Sequence, residues 1–171
     1  MIAKVNQKDF GLEKRRLDKL FSQIAKESMK VAIDSADEYV ELVKSGIGHT
    51  YSPPFSPFWS PLSEMWKAVK TANKDKFWLE TGGIYNAVRT KIIHKSTKLI
   101  HVFAGIMRDT DNDAFERAER NEYGLGLGPA RPLFEPAKDE VSEMMATGRR
   151  LKSNRNFINA LSIAIKKVYR R

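Results

Sequence analysis

The sequence predicts an α+β protein in which a long N-terminal helix and several packed helices surround a small antiparallel sheet. Three observations predict this class. Helical periodicity runs through residues 7–45, β-branched and aromatic side chains with a central turn fill residues 84–104, and helical periodicity returns over residues 135–169. The predicted elements do not alternate between strand and helix, so a parallel sheet is not expected. We predict one domain over residues 1–148 and a basic, amphipathic helical extension over residues 149–171.

The N-terminal stretch, residues 7–45, is expected to form one long helix or two helices in series. Its apolar residues recur at steps of three and four and build one face. They are Leu17, Leu20, Phe21, Ile24, Ala25, Ala32, Ala36, Val40 and Val43. Ser45-Gly46 is typical of a helix C-terminus.

A proline- and aromatic-rich loop follows, at residues 46–63. Proline fixes φ and removes a backbone donor, so the loop should be extended. Its aromatic residues are Tyr51, Phe55, Phe58 and Trp59. These rings either anchor another surface or cover the protein's own core, and the sequence leaves both interpretations open. A short helix capped by Ser63 is predicted over residues 63–73.

Two strands are predicted after the turn signal Thr81-Gly82-Gly83, from Ile84 to Ile93 and from Lys98 to Ala104. The residues between these strands suit a hairpin turn. His94 and His101 would then sit across the hairpin from each other, although no third metal ligand is fixed by the sequence.

Three helices are predicted in the second half of the chain. They cover residues 111–121, about 135–147 with Gly148 at its end, and about 154–169. The last helix should place its larger apolar residues on one face. These are Phe157, Ile158, Leu161, Ile165 and Val168.

The composition argues against several classes of protein. There is no cysteine, which excludes a disulfide framework, a thiolate metal site and a cysteine nucleophile. The N-terminus has no apolar region of the secretory type, and no apolar run is long enough to predict a membrane span. No arrangement of side chains marks a catalytic site, so we expect neither an enzyme nor a cofactor.

The positive charge is concentrated at the C-terminus. Residues 149–171 hold eight of the 30 basic residues and none of the 21 acidic ones, so the rest of the chain is nearly neutral. The eight are Arg149, Arg150, Lys152, Arg155, Lys166, Lys167, Arg170 and Arg171. Such a segment suits DNA or an acidic protein surface, or it is simply a solvated end.

Residues 122–140 combine three alternating glycines with three prolines. The spacing matches neither phosphate-binding glycine motif, and Pro129 and Pro132 remove amides that a phosphate would need. A stiff corner that presents Arg131 is the better interpretation. Its guanidinium could bind a carboxylate or a carbonyl, within the subunit or across a contact, and Glu122 is a candidate partner.

Three motifs in order resemble the neck, tail-completion and virion-morphogenesis proteins of long-tailed bacteriophages. They are WSPLSEMWKAVK with LETGGIYNAV, then AERNEYGLG, then PARPLFEPAKDEV, within residues 58–142. The residues that carry the resemblance are Trp59, Thr81, Gly82, Glu122, Tyr123, Gly124, Ala130, Arg131 and Pro132. Ile84 and Leu125 depart from the family pattern, and residues 149–171 have no counterpart in it.

The resemblance implies a non-catalytic structural protein of the virion, assembled in the host cytoplasm. Such proteins form rings, commonly sixfold, at the junction between head and tail. The implied partners are further copies of the chain, a head-closure protein, and a tail terminator or tail-tube protein, with genome DNA in the channel and no membrane. The alternative is a nucleic-acid-binding module that acts through the basic C-terminal helix.

Overall fold

The computed structural model describes residues 7–97, 99–126, 128–147 and 157–169. It confirms the α+β class: among these residues the structure forms six helices and a two-stranded antiparallel sheet. The elements are α1 (Gln7–Gly46), α2 (Glu64–Val69), α3 (Gly83–Ala87), β1 (Arg89–Lys95), β2 (Ile100–Gly105), α4 (Asn112–Tyr123), α5 (Phe134–Thr147) and α6 (Phe157–Tyr169).

The N-terminal segment is a single continuous helix of 40 residues, α1. At 1.5 Å per residue it is about 60 Å long, whereas a compact chain of this size is only about 40 Å across. Its C-terminal half enters the core, where Val31, Val40 and Val43 are buried. Its N-terminal half does not, and Leu17 and Phe21 of the predicted apolar face are 45% and 64% exposed.

The main core lies where the C-terminal end of α1 meets the loop after it and the start of α5. Leu133, just before α5, is fully buried against the last turn of α1. A Cβ at Gly46 would lie 2.3 Å from Leu133 Cδ1, so only glycine permits this approach. The predicted helix end at Ser45-Gly46 is therefore confirmed, and it has a packing reason.

The hairpin is confirmed, but its first strand starts later than predicted. Residues 83–87 form the short helix α3, because Gly82 adopts φ +83° and the apolar side chains of Ile84 and Ala87 then point together into the core. β1 and β2 pair from Arg89 opposite Gly105 onward, with an irregularity after Ile92.

The remaining helices fall close to their predicted positions. Ser63 caps α2 by accepting a hydrogen bond from Trp66 N at 3.2 Å. α2 ends at Val69, earlier than predicted, since the backbone of Lys70 is extended. Pro136 lies in the first turn of α5, where its missing amide costs nothing. The predicted stop of α5 at Gly148 lies outside the described residues.

α6 packs against α1 through its small residues. Ala160 and Ala164 are buried, and Ala160 joins Val31 in a small second core. The small alanine side chains let the two helices approach closely. Of the larger apolar side chains predicted to share one face, Ile158, Leu161 and Ile165 are exposed.

Candidate functional site

The three motifs that carry the phage resemblance fold together around one cleft of about 410 Å³. One wall comes from α2 and the segment between α2 and α3, and the other from α4 and the glycine–proline corner after it. We call it the Arg131 cleft. Its lining includes Leu62, Trp66, Lys70, Lys76, Phe77, Trp78, Glu80, Thr81, Ile84, Arg117, Arg120, Leu125 and Arg131.

Arg131 is a buried cation without an acidic partner among the described residues; only 6% of it is exposed. Its Nη2 donates to Ser60 O at 3.3 Å and its Nη1 to Pro129 O at 3.5 Å, both long for hydrogen bonds. Its Nε is buried and has no acceptor. The guanidinium lies 5.0 Å from the centre of the Phe77 ring, and burial lowers the pKa of Arg131.

Glu122 does not pair with Arg131, so that part of the prediction is wrong. Its buried carboxylate instead accepts hydrogen bonds from three successive amides at the start of α5. These are the amides of Leu133 at 2.7 Å, Phe134 at 3.0 Å and Glu135 at 3.0 Å. A helix N-terminus attracts negative charge, so Glu122 caps α5 from the end of α4.

The glycines of the corner have different roles. Gly124 ends α4 with φ +68°, and a Cβ there would lie 2.7 Å from the backbone nitrogen of Ala130. Both the conformation and the contact require glycine. Gly128 has neither constraint, since a Cβ would make only ordinary contacts with Trp66 and Arg131. The close approach predicted for this segment is therefore confirmed at Gly124.

Trp59 and Pro132 join the proline-rich loop to the corner. Pro132 O accepts hydrogen bonds from Trp59 Nε1 at 3.1 Å and from Ser56 Oγ. Trp59 is only 2% exposed and packs edge-on against Phe77. Phe58, its neighbour, is 85% exposed. The loop thus both covers the core and presents an aromatic ring to the outside.

Lys70 holds the wall of the cleft opposite Arg131, a role that sequence reasoning missed. Its ammonium donates to the carbonyl oxygens of Asn73 at 3.0 Å, Lys76 at 2.6 Å and Leu79 at 3.0 Å. Burial is the main cause that lowers the pKa of Lys70, and the charge of Arg131 acts in the same direction.

Trp78 is a second unusual residue in the lining, and it too was missed from the sequence. It adopts φ +58°, which is costly for a side chain with a Cβ. The residue is buried against Phe134, and its indole nitrogen has no hydrogen-bond acceptor. Neither its backbone conformation nor its unpaired donor can be read from a sequence.

The other predicted motif residues lie around these groups. Thr81 is exposed and lines the Arg131 cleft, and Gly82 forms the turn into α3. Ala130 is exposed above Gly124. Tyr123 lines a separate cavity of about 300 Å³ beside Tyr39, whose pKa is raised by burial and by the charge of Glu122.

Two of the eight C-terminal basic residues lie within the described structure. Lys167 Nζ is 2.6 Å from Oε1 of Glu27, which is 1% exposed. Lys167 thus makes an ion pair inside its own subunit. Its contact with DNA or an acidic partner stays a prediction. Lys166 is exposed. The other six, Arg149, Arg150, Lys152, Arg155, Arg170 and Arg171, lie outside the described residues.

The histidine pair was predicted to lie across the hairpin, and this is confirmed: His94 pairs with His101, with ring centres 5.8 Å apart. Within the described part of the chain, no three or more metal-binding side chains come together. Over the same residues, no helix combines the length and apolarity that crossing a membrane requires.

Comparison of the chain with models of protein families, with curated proteins and with solved structures found no match. Functional inference therefore rests on the three motifs, on the geometry of the Arg131 cleft and on the exposed surface of the helices.

Proposed function

We propose that this protein is a non-catalytic structural component of a phage virion that forms part of an oligomeric ring at the head–tail junction. The motif resemblance supports this role, and so does the convergence of all three motifs on one cleft. The ring would consist of copies of this chain, six in the commonest arrangement. Its neighbours would be a head-closure protein and a tail terminator or tail-tube protein, with genome DNA passing through the channel.

The observation that carries the proposal is the apolar surface that α1 and α6 leave uncovered among the described residues. Leu17 and Phe21 are exposed on α1, and Leu161, Ile165 and Tyr169 are exposed on α6. Scattered exposed apolar residues are ordinary, but aligned ones on two packed helices are typical of an association surface.

α6 packs against α1 and runs antiparallel to it. Ala160 packs near Val31, whereas Lys167 contacts Glu27, nearer the N-terminus of α1. The exposed end of α6 is thus directed toward the turns of α1 that carry Phe21. A long helix with an uncovered apolar face is suited to packing against the next copy in a ring.

Self-association tests this surface directly. We expect Phe21→Glu to shift purified protein toward monomer in sedimentation velocity and to abolish ring-shaped particles in negative-stain images. Ser22→Glu is the matched control, because it adds the same charge at the adjacent exposed position. A sedimentation profile that is the same for wild type and Phe21→Glu would contradict a subunit contact at this surface.

The place in the virion is tested by disrupting the gene in its phage and imaging the lysate. We expect filled heads separate from tails, or tails with abnormal ends, and restoration of joined particles by the wild-type gene. Complementation by Ser22→Glu but not by Phe21→Glu would connect the phenotype to the α1 surface. Normal joined particles without the gene would refute the proposal.

The nucleic-acid-binding alternative is supported by the composition of residues 149–171 and by exposed Lys166. Replacing Arg149, Arg150, Arg170 and Arg171 with Gln tests it while keeping Lys167, which contacts Glu27 of α1. If the protein binds nucleic acid in this way, its affinity for DNA should fall steeply as the salt concentration rises. The variant with four replacements should lose that affinity. Affinity that is independent of salt, or equal in the variant, would exclude it.

A further inference from the structure

We propose that the Arg131 cleft is a docking site for an acidic peptide segment of a partner protein, with a carboxylate of that segment bound at Arg131. This inference goes beyond the ring proposal, since it holds for any assembly to which the protein belongs. It rests on the charge, the unpaired donors and the shape of the cleft.

Two cations, Arg131 and Lys70, line the cleft. Arg131 and Lys70 are both partly or fully buried, and each is hydrogen-bonded to carbonyl oxygens rather than to carboxylates. Burial lowers the pKa of both groups; at Lys70 the charge of Arg131 adds to this lowering, whereas Glu80 and Asp75 oppose it. An incoming anion would supply Arg131 with the counter-charge that it lacks among the described residues.

Two donors of the cleft-lining residues lack an acceptor. They are Arg131 Nε and Trp78 Nε1, both buried. Buried donors in folded proteins are nearly always hydrogen-bonded, so two orphan donors in one cleft call for an acceptor that is absent from the isolated subunit. A carboxylate is suited to this role, because it offers acceptors only and matches the fork of a guanidinium.

The other residues that line the cleft favour a peptide over a polyanion such as DNA. Leu62, Trp66 and Leu125 supply apolar contacts at the sides of the cleft. Glu80 also lines it, and the two arginines contributed by α4 are already paired with acidic residues of the same helix. These acidic groups would repel a run of phosphates more strongly than a single carboxylate that binds Arg131 beside apolar side chains.

Tryptophan fluorescence of the full chain can report occupancy, since Trp66 and Trp78 both line the cleft. The probe is acetyl-Leu-Glu-Leu-Glu-amide, compared with its glutamine analogue and with a short oligothymidylate. We expect the acidic peptide to bind at least tenfold more tightly than the glutamine analogue. Comparable affinities for the two peptides, or tighter binding of the oligothymidylate, would overturn the proposal.

Arg131→Lys should weaken peptide binding. Because Arg131 also holds the corner in place, this variant alone does not separate a lost binding site from a disturbed fold. The second variant is therefore Arg117→Gln with Arg120→Gln, which removes two exposed charges of the cleft. We expect about fivefold weaker binding, as two exposed ion pairs contribute. Lys91→Gln with Lys95→Gln, on the hairpin, is the matched control and should bind as wild type does.

Binding that the cleft variant leaves unchanged would place the peptide elsewhere and refute the site. A fluorescence change on concentrating the protein alone, abolished by the cleft variant, would make the occupant a second copy of this chain and overturn the assignment to a partner protein.

Discussion

Replacing Glu122 with glutamine tests how the corner is joined to α5. The carboxylate accepts hydrogen bonds from the amides of Leu133, Phe134 and Glu135 at 2.7, 3.0 and 3.0 Å, and the residue is 6% exposed. A glutamine side chain keeps one acceptor oxygen, but it brings an NH₂ donor toward amides that are themselves donors.

The expected loss follows from these contacts. A hydrogen bond to a charged group contributes about 1.5–3 kcal/mol, and the interaction of a charge with a helix N-terminus contributes up to about 2 kcal/mol. Since glutamine retains part of the bonding, we expect Glu122→Gln to lower the free energy of unfolding by about 3 kcal/mol. For a chain of this size that corresponds to a fall in Tm of roughly 6–12 °C.

Urea unfolding followed by the fluorescence of the buried Trp59 and Trp78 measures the loss. Glu119→Gln, on the same helix and exposed, is the control and should stay within about 0.5 kcal/mol of wild type. Hydrogen exchange at the amide of Leu133 should accelerate in Glu122→Gln alone. A loss no larger than that of Glu119→Gln would refute the capping role, because the amides would then have other acceptors.

Three further perturbations test the corner, α6 and the buried tyrosine. Gly124→Ala should cost about 2–3 kcal/mol in urea unfolding, because φ is +68° and the Cβ meets backbone, whereas Gly128→Ala should change stability by less than about 0.5 kcal/mol. Lys167→Gln should cost about 1 kcal/mol and make α6 more sensitive to protease, since it removes the cation at 2.6 Å from the buried carboxylate of Glu27, which also has Lys30 at 3.6 Å. Lys166→Gln should do neither. Burial raises the pKa of Tyr39, so the folded state keeps a proton that the unfolded chain releases near pH 10. The free energy of unfolding should therefore fall above that pH by up to about 1.4 kcal/mol per pH unit. Tyr39→Phe should make this dependence of stability on pH flatter. Equal stability of the two glycine variants would contradict the requirement for glycine at position 124, and equal stability of the two lysine variants would contradict the role of Lys167. The same fall in stability above pH 10 in wild type and Tyr39→Phe would contradict the role of Tyr39.

Periodicity predicts the elements of this fold well, because it depends on local geometry. The long helix α1, the cap at Ser63 and the helices α4 and α5 all lie within a few residues of their predicted bounds. The start of β1 was mispredicted for a physical reason. Ile84 and Ala87 are three residues apart, which places both on one face of a helical turn, whereas the β-branched and aromatic content of the segment favours a strand; tertiary burial of both side chains decides for the helix.

The face of α6 shows a second limit of pattern reasoning. A hydrophobicity pattern assigns the larger side chains to the core, but contact with α1 favours the small Ala160 and Ala164. Size, rather than apolarity, determines the buried face here. The exposed row that results is the feature on which the proposed subunit contact depends.

The candidate site was predictable in position but not in its chemistry. The glycine–proline corner and the arginine within it stand out in the sequence, and the structure places Arg131 at the centre of the cleft. The partner of Glu122 could not be inferred, because its acceptor role depends on how α4 and α5 meet in space. Neither Lys70 nor Trp78 stands out in the sequence, because their importance depends on burial and on backbone conformation.

Arg131 is difficult to explain as a purely structural residue. Its long bonds to two carbonyl oxygens and its contact with Phe77 do not replace the hydration that burial removes. An apolar side chain of similar volume would often fill such a position at equal or lower cost. A cation buried without a counter-charge destabilises the isolated subunit, and the proposed binding of an anion would remove this destabilisation. On this reasoning the corner is completed by a partner, and the stability of the subunit should rise when the cleft is filled.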